Sequence, residues 1–262
     1  KHIFNYYNTQ KTTNFLLKNI EWVNDDIFNT SIFEGIDEVY YTNNLISLWQ
    51  GFFQKNITDI TDVINICIAT GVKKICYINS IFISNDKVNN HITELFLTNK
   101  LYNNDYYTKF LSEIEVLRGN KEGLNVIIVN PSIVLASGFW KKKNLFEFII
   151  NKSPIGTIGC IDVRDVAKCC IRLMDENHIN ERYLLNSENI SYEEIRNINN
   201  IYSFNKKRKI FLKKNFNKKI LNFFKKNYIH FSNEKIIKIL KYKFIPVKES
   251  IQEHIKRYKK EC

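Results

Sequence analysis

An α/β chain built around a parallel sheet is the fold class this sequence predicts, and three observations carry it. Between Lys18 and Glu193 short β-branched or aromatic runs alternate with helical stretches, as they must when parallel strands are joined by crossover helices. Two of those stretches place their apolar residues at the 3.6-residue period of a one-sided helix. With 262 residues, 44% of them hydrophobic, the chain can also bury one sizeable core and a small second lobe.

The elements follow in order. Candidate strands are Ile20–Val23, Glu38–Thr42, Lys74–Ile78, Val126–Val129 and Arg182–Leu185. Asp59–Thr70 reads as a helix with Ile60, Val63, Ile64 and Cys67 on its inner face, and Tyr106–Arg118 as one with Phe110, Leu111, Ile114 and Leu117 inward. Gly71 and Gly119 are placed to close these two helices, because glycine takes the left-handed conformation at a helix C-terminus without strain. Beyond Asn200 lysine doublets punctuate Leu212, Phe216, Ile220, Phe223 and Phe224 at helical spacing. This basic amphipathic helix is expected to pack its apolar face on the core, as most such helices do. The competing use is docking on an anionic membrane surface through residues 210–226.

Charge is unevenly placed. Asn205–Lys243 holds fourteen Lys or Arg against Glu234 alone, a local charge of +13, so against a total of +12 the rest of the chain carries −1. The basicity belongs to one C-terminal segment, and no nucleic-acid-binding motif accompanies it, which argues against a nucleic-acid partner. The six cysteines show no CxxC pair or zinc-type spacing, and no signal peptide or apolar run long enough to cross a bilayer is present. A reduced, cytoplasmic protein without a metal site is the expectation. With three alanines, Ala69, Ala136 and Ala167, in a background of Lys, Asn, Ile and Phe, composition weakens arguments from propensity alone.

In an open parallel sheet ligands bind beyond the carboxyl ends of the strands. The first candidate strand ends in Asn24-Asp25-Asp26-Ile27, the second in Thr42 and Asn43-Asn44, the third in Asn79-Ser80. The helix after the third strand offers Tyr106, Tyr107 and Lys109. Each is commonplace alone. Converging at one sheet edge, a serine, a tyrosine and a lysine make a proton-transfer site, because a nearby ammonium favours the phenolate.

The ordered segments KNIEWVNDDI, EVYYTNN, GVKKICYINS, YYTKFLSEIEVLRG, EGLNVIIVNPSIVL, IDVRDVAKCCIRLM and ERYLLNSENISYEEI resemble the extended short-chain dehydrogenase/reductase family. They are most similar to its NAD-dependent epimerase/dehydratases and dihydroflavonol-reductase-like proteins. The resemblance implies a truncated Rossmann-like parallel sheet with a small C-terminal lobe. Residues 1–200 form the core, lacking the family's first two strands, with 138–165 crossing to the substrate side and 201–262 forming a basic helical lobe. It implies NAD or NADP as cofactor, a nucleotide-sugar or small carbonyl compound as substrate, and it is compatible with a homodimer. Ser80 orients the substrate oxygen, Tyr106 is the acid/base, and Lys109 binds ribose and lowers the tyrosine pKa. Asp26, Ile27, Thr42, Asn43, Asn56, Lys109 and Pro131 fall where the family contacts its cofactor.

Three departures bear on function. The glycine-rich turn that cradles a pyrophosphate at a helix N-terminus has no counterpart here. Asp105, not a tyrosine, stands four residues before Lys109, so Tyr106 is displaced about 100° around a helix. Asn43-Asn44 and Asp59-Ile60 replace small residues that let a dinucleotide lie against backbone. Weak dinucleotide binding is expected, and the other reading is a non-catalytic relic that binds through its basic helix. With the family's first two strands missing, Ile20–Val23 should either pair directly beside Glu38–Thr42 or be poorly placed.

Overall fold

The structure is a computed structural model, and it describes residues 2–5, 20–23, 29–42, 53–80, 91–94, 104–135, 155–202 and 227–261. At its centre four strands, β3 (Glu38–Thr42), β4 (Lys74–Ile78), β6 (Asn125–Pro131) and β9 (Glu181–Leu185), lie in the order β3-β4-β6-β9, all parallel. Successive side chains of a strand point to opposite faces, and the sequence is apolar at both sets of positions. Ile75 and Tyr77 of β4 and Val126 and Ile128 of β6 face one way, against α1 (Phe53–Thr70) and α2 (Asn104–Lys121). Cys76, Ile127 and Val129 face the other way, against α3 (Val163–Asp175) and α5 (Glu234–Leu240). Both faces are therefore buried, and the layers are helix, sheet, helix.

A second sheet is centred on β8 (Gly156–Asp162), which pairs in parallel with β7 (Ile133–Leu135) and β11 (Asn227–Tyr228) and antiparallel with β10 (Glu188–Ser191). The short strands β5 (His91–Ile92) and β12 (His230–Phe231) pair in parallel, His91 stacked on His230. Helix α4 (Tyr192–Tyr202) opens with a capping box in which Ser191 and Glu194 bond each other's backbone N–H. Helix α6 (Val247–Glu261) packs on α4 and β8.

The five candidate strands and both candidate helices are present, each helix starting earlier than its sequence pattern. Three expectations are corrected. Ile20–Val23 (β2) does not pair with β3; it pairs in parallel with β1 (His2–Asn5), a strand the sequence reading had not placed. His2–Phe4 is a run of β-compatible residues. The inner face of α2 is also turned: Thr108, Ser112, Glu113 and Val116 are buried, whereas Ile114 and Leu117 are exposed. The buried face holds polar groups with specific partners, so apolar periodicity alone pointed to the wrong side.

Gly119, finally, does not end α2. It lies inside the helix, where a Cβ would stand 2.7 Å from Cγ2 of fully buried Ile64 on α1. The glycine lets the two helices touch, and Gly123, at φ +101°, takes up the terminating conformation. Gly119→Ala gains up to about 1 kcal/mol of helix propensity and meets an overpacking cost of about 1–3 kcal/mol against a β-branched neighbour that cannot turn away. A lowered melting temperature is the expected result; an unchanged or raised one would show that the helices slide apart freely.

The N-terminus of α3 is tied to α6. Asp162 accepts from the Arg164 N–H and guanidinium and from Ser250 Oγ at 2.7 Å, and Arg164 reaches Glu253. Burial pushes the Asp162 carboxyl up, but the hydrogen bonds from Arg164 and Ser250 outweigh it and leave the pKa below the ordinary value. A lowered folded-state pKa stabilises above the unfolded value of about 4 and loses that stabilisation as the pH falls through the folded value. Acid should therefore loosen this tie, and Asp162→Asn should remove that part of the acid dependence of the melting temperature.

Candidate functional site

The carboxyl ends of β4 and β6 and the first turns of α2 meet at one edge of the central sheet. Asn79 follows β4 directly and is held by its N–H on the Val129 carbonyl at 2.8 Å. Its side-chain amide has two protons to give, and both are used: one goes to the Lys109 backbone carbonyl at 3.2 Å, the other to Glu113 Oε1 at 3.1 Å. The turn of α2 that carries Lys109 is thereby fixed beside the strand end that carries Ser80, and both side chains are half-buried.

Glu113 is wholly buried and pairs with the Arg182 guanidinium, which comes from β9. Burial pushes the Glu113 carboxyl up from the ordinary range, against the opposing pull of Arg182 and the amides of Asn130 and Asn79. Arg182 also donates to the Glu94 carbonyl at 3.3 Å, and Glu94 Oε1 accepts the Leu184 N–H of β9. One arginine thus joins the helix of Lys109 to the segment that returns after Ser80. Nearby, Asn130 Oδ1, Ser132 Oγ and Asn186 Oδ1 are buried without a hydrogen-bond partner.

Of the residues singled out in the sequence, the structure brings together the segments of Ser80 and Lys109. Tyr106 falls in the first turn of α2, three residues before Lys109, with Asp105 beside it in the same turn. Thr42 is exposed at the end of β3, and Pro131 is buried in the β6–β9 ladder opposite Leu185. Asn56 lies in the first turn of α1. Asp26, Ile27, Asn43 and residues 210–226 lie outside the described residues.

The sequence reading missed Asn79, Glu113 and Arg182 as a unit. Glu113 had a signal, an acid four residues after Lys109 and so on the same helical face. Arg182, inside a strand, had none. Among the described residues no group of three or more His, Cys, Asp or Glu could hold a metal ion. No helix among them is long and apolar enough to cross a membrane.

No family model matches the chain. No curated protein matches it either. Solved structures do. UDP-glucuronic acid 4-epimerase from Bacillus cereus, in complex with UDP-glucuronic acid and NAD, superposes with a TM-score of 0.74 at 17% identity, over 93% of this chain and 83% of that one. UDP-N-acetylglucosamine 4-epimerase from the same organism gives 0.73 at 13% identity, over 93% and 87%. Gre2 from Candida albicans gives 0.66 at 18% identity, over 91% and 83%. The parallel sheet between two helical layers is therefore an architecture shared with these solved structures, and the chain has a Rossmann-like fold.

Proposed function

We propose that this chain is an NAD(P)-dependent epimerase/dehydratase or reductase, acting on a nucleotide-sugar or small carbonyl compound, with a weakened hold on its dinucleotide. The observation that supports the reading is the Asn79 hydrogen bond to the Lys109 carbonyl, which ties the residue before Ser80 to the turn of α2 that carries Lys109. The residues fit the two ends of a dinucleotide differently. Ser80 and Lys109 suit the nicotinamide–ribose end, where an ammonium can hold ribose hydroxyls and a serine hydroxyl can donate to a substrate oxygen. None of the eight glycines stands in a GxxGxxG turn, so this chain offers no such cradle for the pyrophosphate.

When bound, the nicotinamide ring supplies hydride exchange with an alcohol or carbonyl carbon. This chain's own contribution is positional and acid–base. Ser80 fixes the substrate oxygen, and the Lys109 charge favours the phenolate of a tyrosine one turn away, the role proposed for Tyr106.

Titration of the 262-residue chain with NADH and NADPH, followed by saturation-transfer NMR, tests this. The expected dissociation constant is about millimolar, roughly 4 kcal/mol, with saturation strongest on nicotinamide and ribose protons and lost in Lys109→Ala. Micromolar binding would overturn the weakened hold. Absence of any transfer would overturn the dinucleotide reading.

A further inference from the structure

Asn79, Glu113 and Arg182 do more than fill the interior. An asparagine amide donates two hydrogen bonds, and here both acceptors are on α2, four residues apart and so on one helical face: the Lys109 carbonyl and the Glu113 carboxylate. The carboxylate has two oxygens; Oε1 takes Asn79 and Oε2 takes Arg182. Every partner in this chain is specified by donor and acceptor type, so the amide of Asn79 has one workable orientation.

We propose that Asn79 and Glu113, oriented by Arg182, are positioning residues that hold Lys109 in register with Ser80. This rests on the dinucleotide reading above, in which Ser80 fixes the substrate oxygen and Lys109 holds ribose and favours the tyrosine phenolate. The buried ion pair serves as the anchor: Arg182 comes from β9, and it fixes the carboxylate against which Asn79 is aligned. Because Asn79 bonds a backbone carbonyl of the turn bearing Lys109, what it sets is the height of that turn above the strand end.

Substituting Glu113 by Gln tests the donor and acceptor logic at nearly constant volume. If the Gln oxygen faces Arg182, its NH2 meets the NH2 of Asn79, which must flip and then opposes its own oxygen to the Lys109 carbonyl. In Glu113→Gln the carbonyl carbon-13 resonance of Lys109 should shift and nicotinamide saturation should fall severalfold. In Glu113→Gln/Arg182→Met the competing donor is gone, the Gln oxygen is free to face Asn79, and both signals should return towards wild type. A mere packing role predicts no such rescue.

Asn79→Ser is the second variant, in case Glu113→Gln does not fold. It leaves the ion pair intact, removes only the bridge, and should shift the same resonance and lower the same saturation. An unmoved Lys109 carbonyl in a folded single variant would overturn the proposal, and so would a moved one with undiminished saturation. If wild type itself shows no saturation, the dinucleotide reading fails, and the Lys109 resonance with its rescue by the double variant still decides whether the clamp exists.

Discussion

Arg182→Ala is expected to be among the most damaging single substitutions in the chain, costing about 3–5 kcal/mol against a total stability of order 5–15 kcal/mol. The loss comes less from the ion pair than from what is left behind. Glu113 is fully buried, Arg182 nearly so, and without the guanidinium the carboxylate has only amide donors facing it. Replacing both charges, as in Glu113→Leu/Arg182→Met, should recover much of the stability, because neither partner is then left as an unpaired buried charge.

The pH dependence carries a definite sign. Burial already raises the folded-state pKa of Glu113, and removing Arg182 raises it further. A raised carboxyl pKa gives stability that is fully present below the unfolded value of about 4.3 and lost as pH rises through the folded value. Relative to wild type, Arg182→Ala should therefore be least destabilised in mild acid and most at pH 8. Denaturant titrations at both pH values read this directly, and an equal deficit at each would show that Glu113 is not the group left exposed to the cost.

Gly159→Ala is the second large expected effect. Gly159 lies in β8, and a Cβ there would stand 2.5 Å from Asn186 Oδ1, 2.7 Å from Phe231 Cδ2 and 3.0 Å from Ser132 Cβ. The three neighbours come from three separate chain segments, so one small shift cannot relieve all of them. The Asn186 amide is also bonded to the Phe231 carbonyl at 3.1 Å, and displacing either atom strains that bond. A loss at or above the upper end of the usual overpacking range of about 1–3 kcal/mol is expected, read as a lower urea midpoint at unchanged slope. Gly35→Ala is the control: nothing lies within 4 Å, and only its φ of +70° opposes the methyl. Equal midpoints for the two variants would show that the β8 site yields.

Strands were legible because a parallel strand covered on both faces must be apolar throughout, and ICYI and VIIV are. Helix α1 was legible for a related reason: Ile60, Val63, Ile64 and Cys67 form one stripe and nothing polar competes for that face. Helix α2 was not. Its apolar residues Ile114 and Leu117 are exposed while Glu113 is buried against Asn79 and Arg182, and a partner on another strand leaves no trace in local periodicity. The same holds at Gly119, whose place at the end of an apolar pattern suggested a helix cap. A close approach by Ile64, fifty-five positions earlier, is what requires it.

By itself, then, the sequence determined the α/β class, the four core strands and the identity of Ser80 and Lys109 as a candidate pair, because these depend on side-chain polarity read along one segment at a time. The tertiary structure alone decided that β2 pairs with β1, that α2 buries its polar face, and that Asn79 bridges the Lys109 carbonyl and the Glu113 carboxylate, which in turn pairs with Arg182. Those outcomes depend on hydrogen bonds and contacts between residues 18 to 69 positions apart, where what matters is which donor meets which acceptor after the chain has closed on itself.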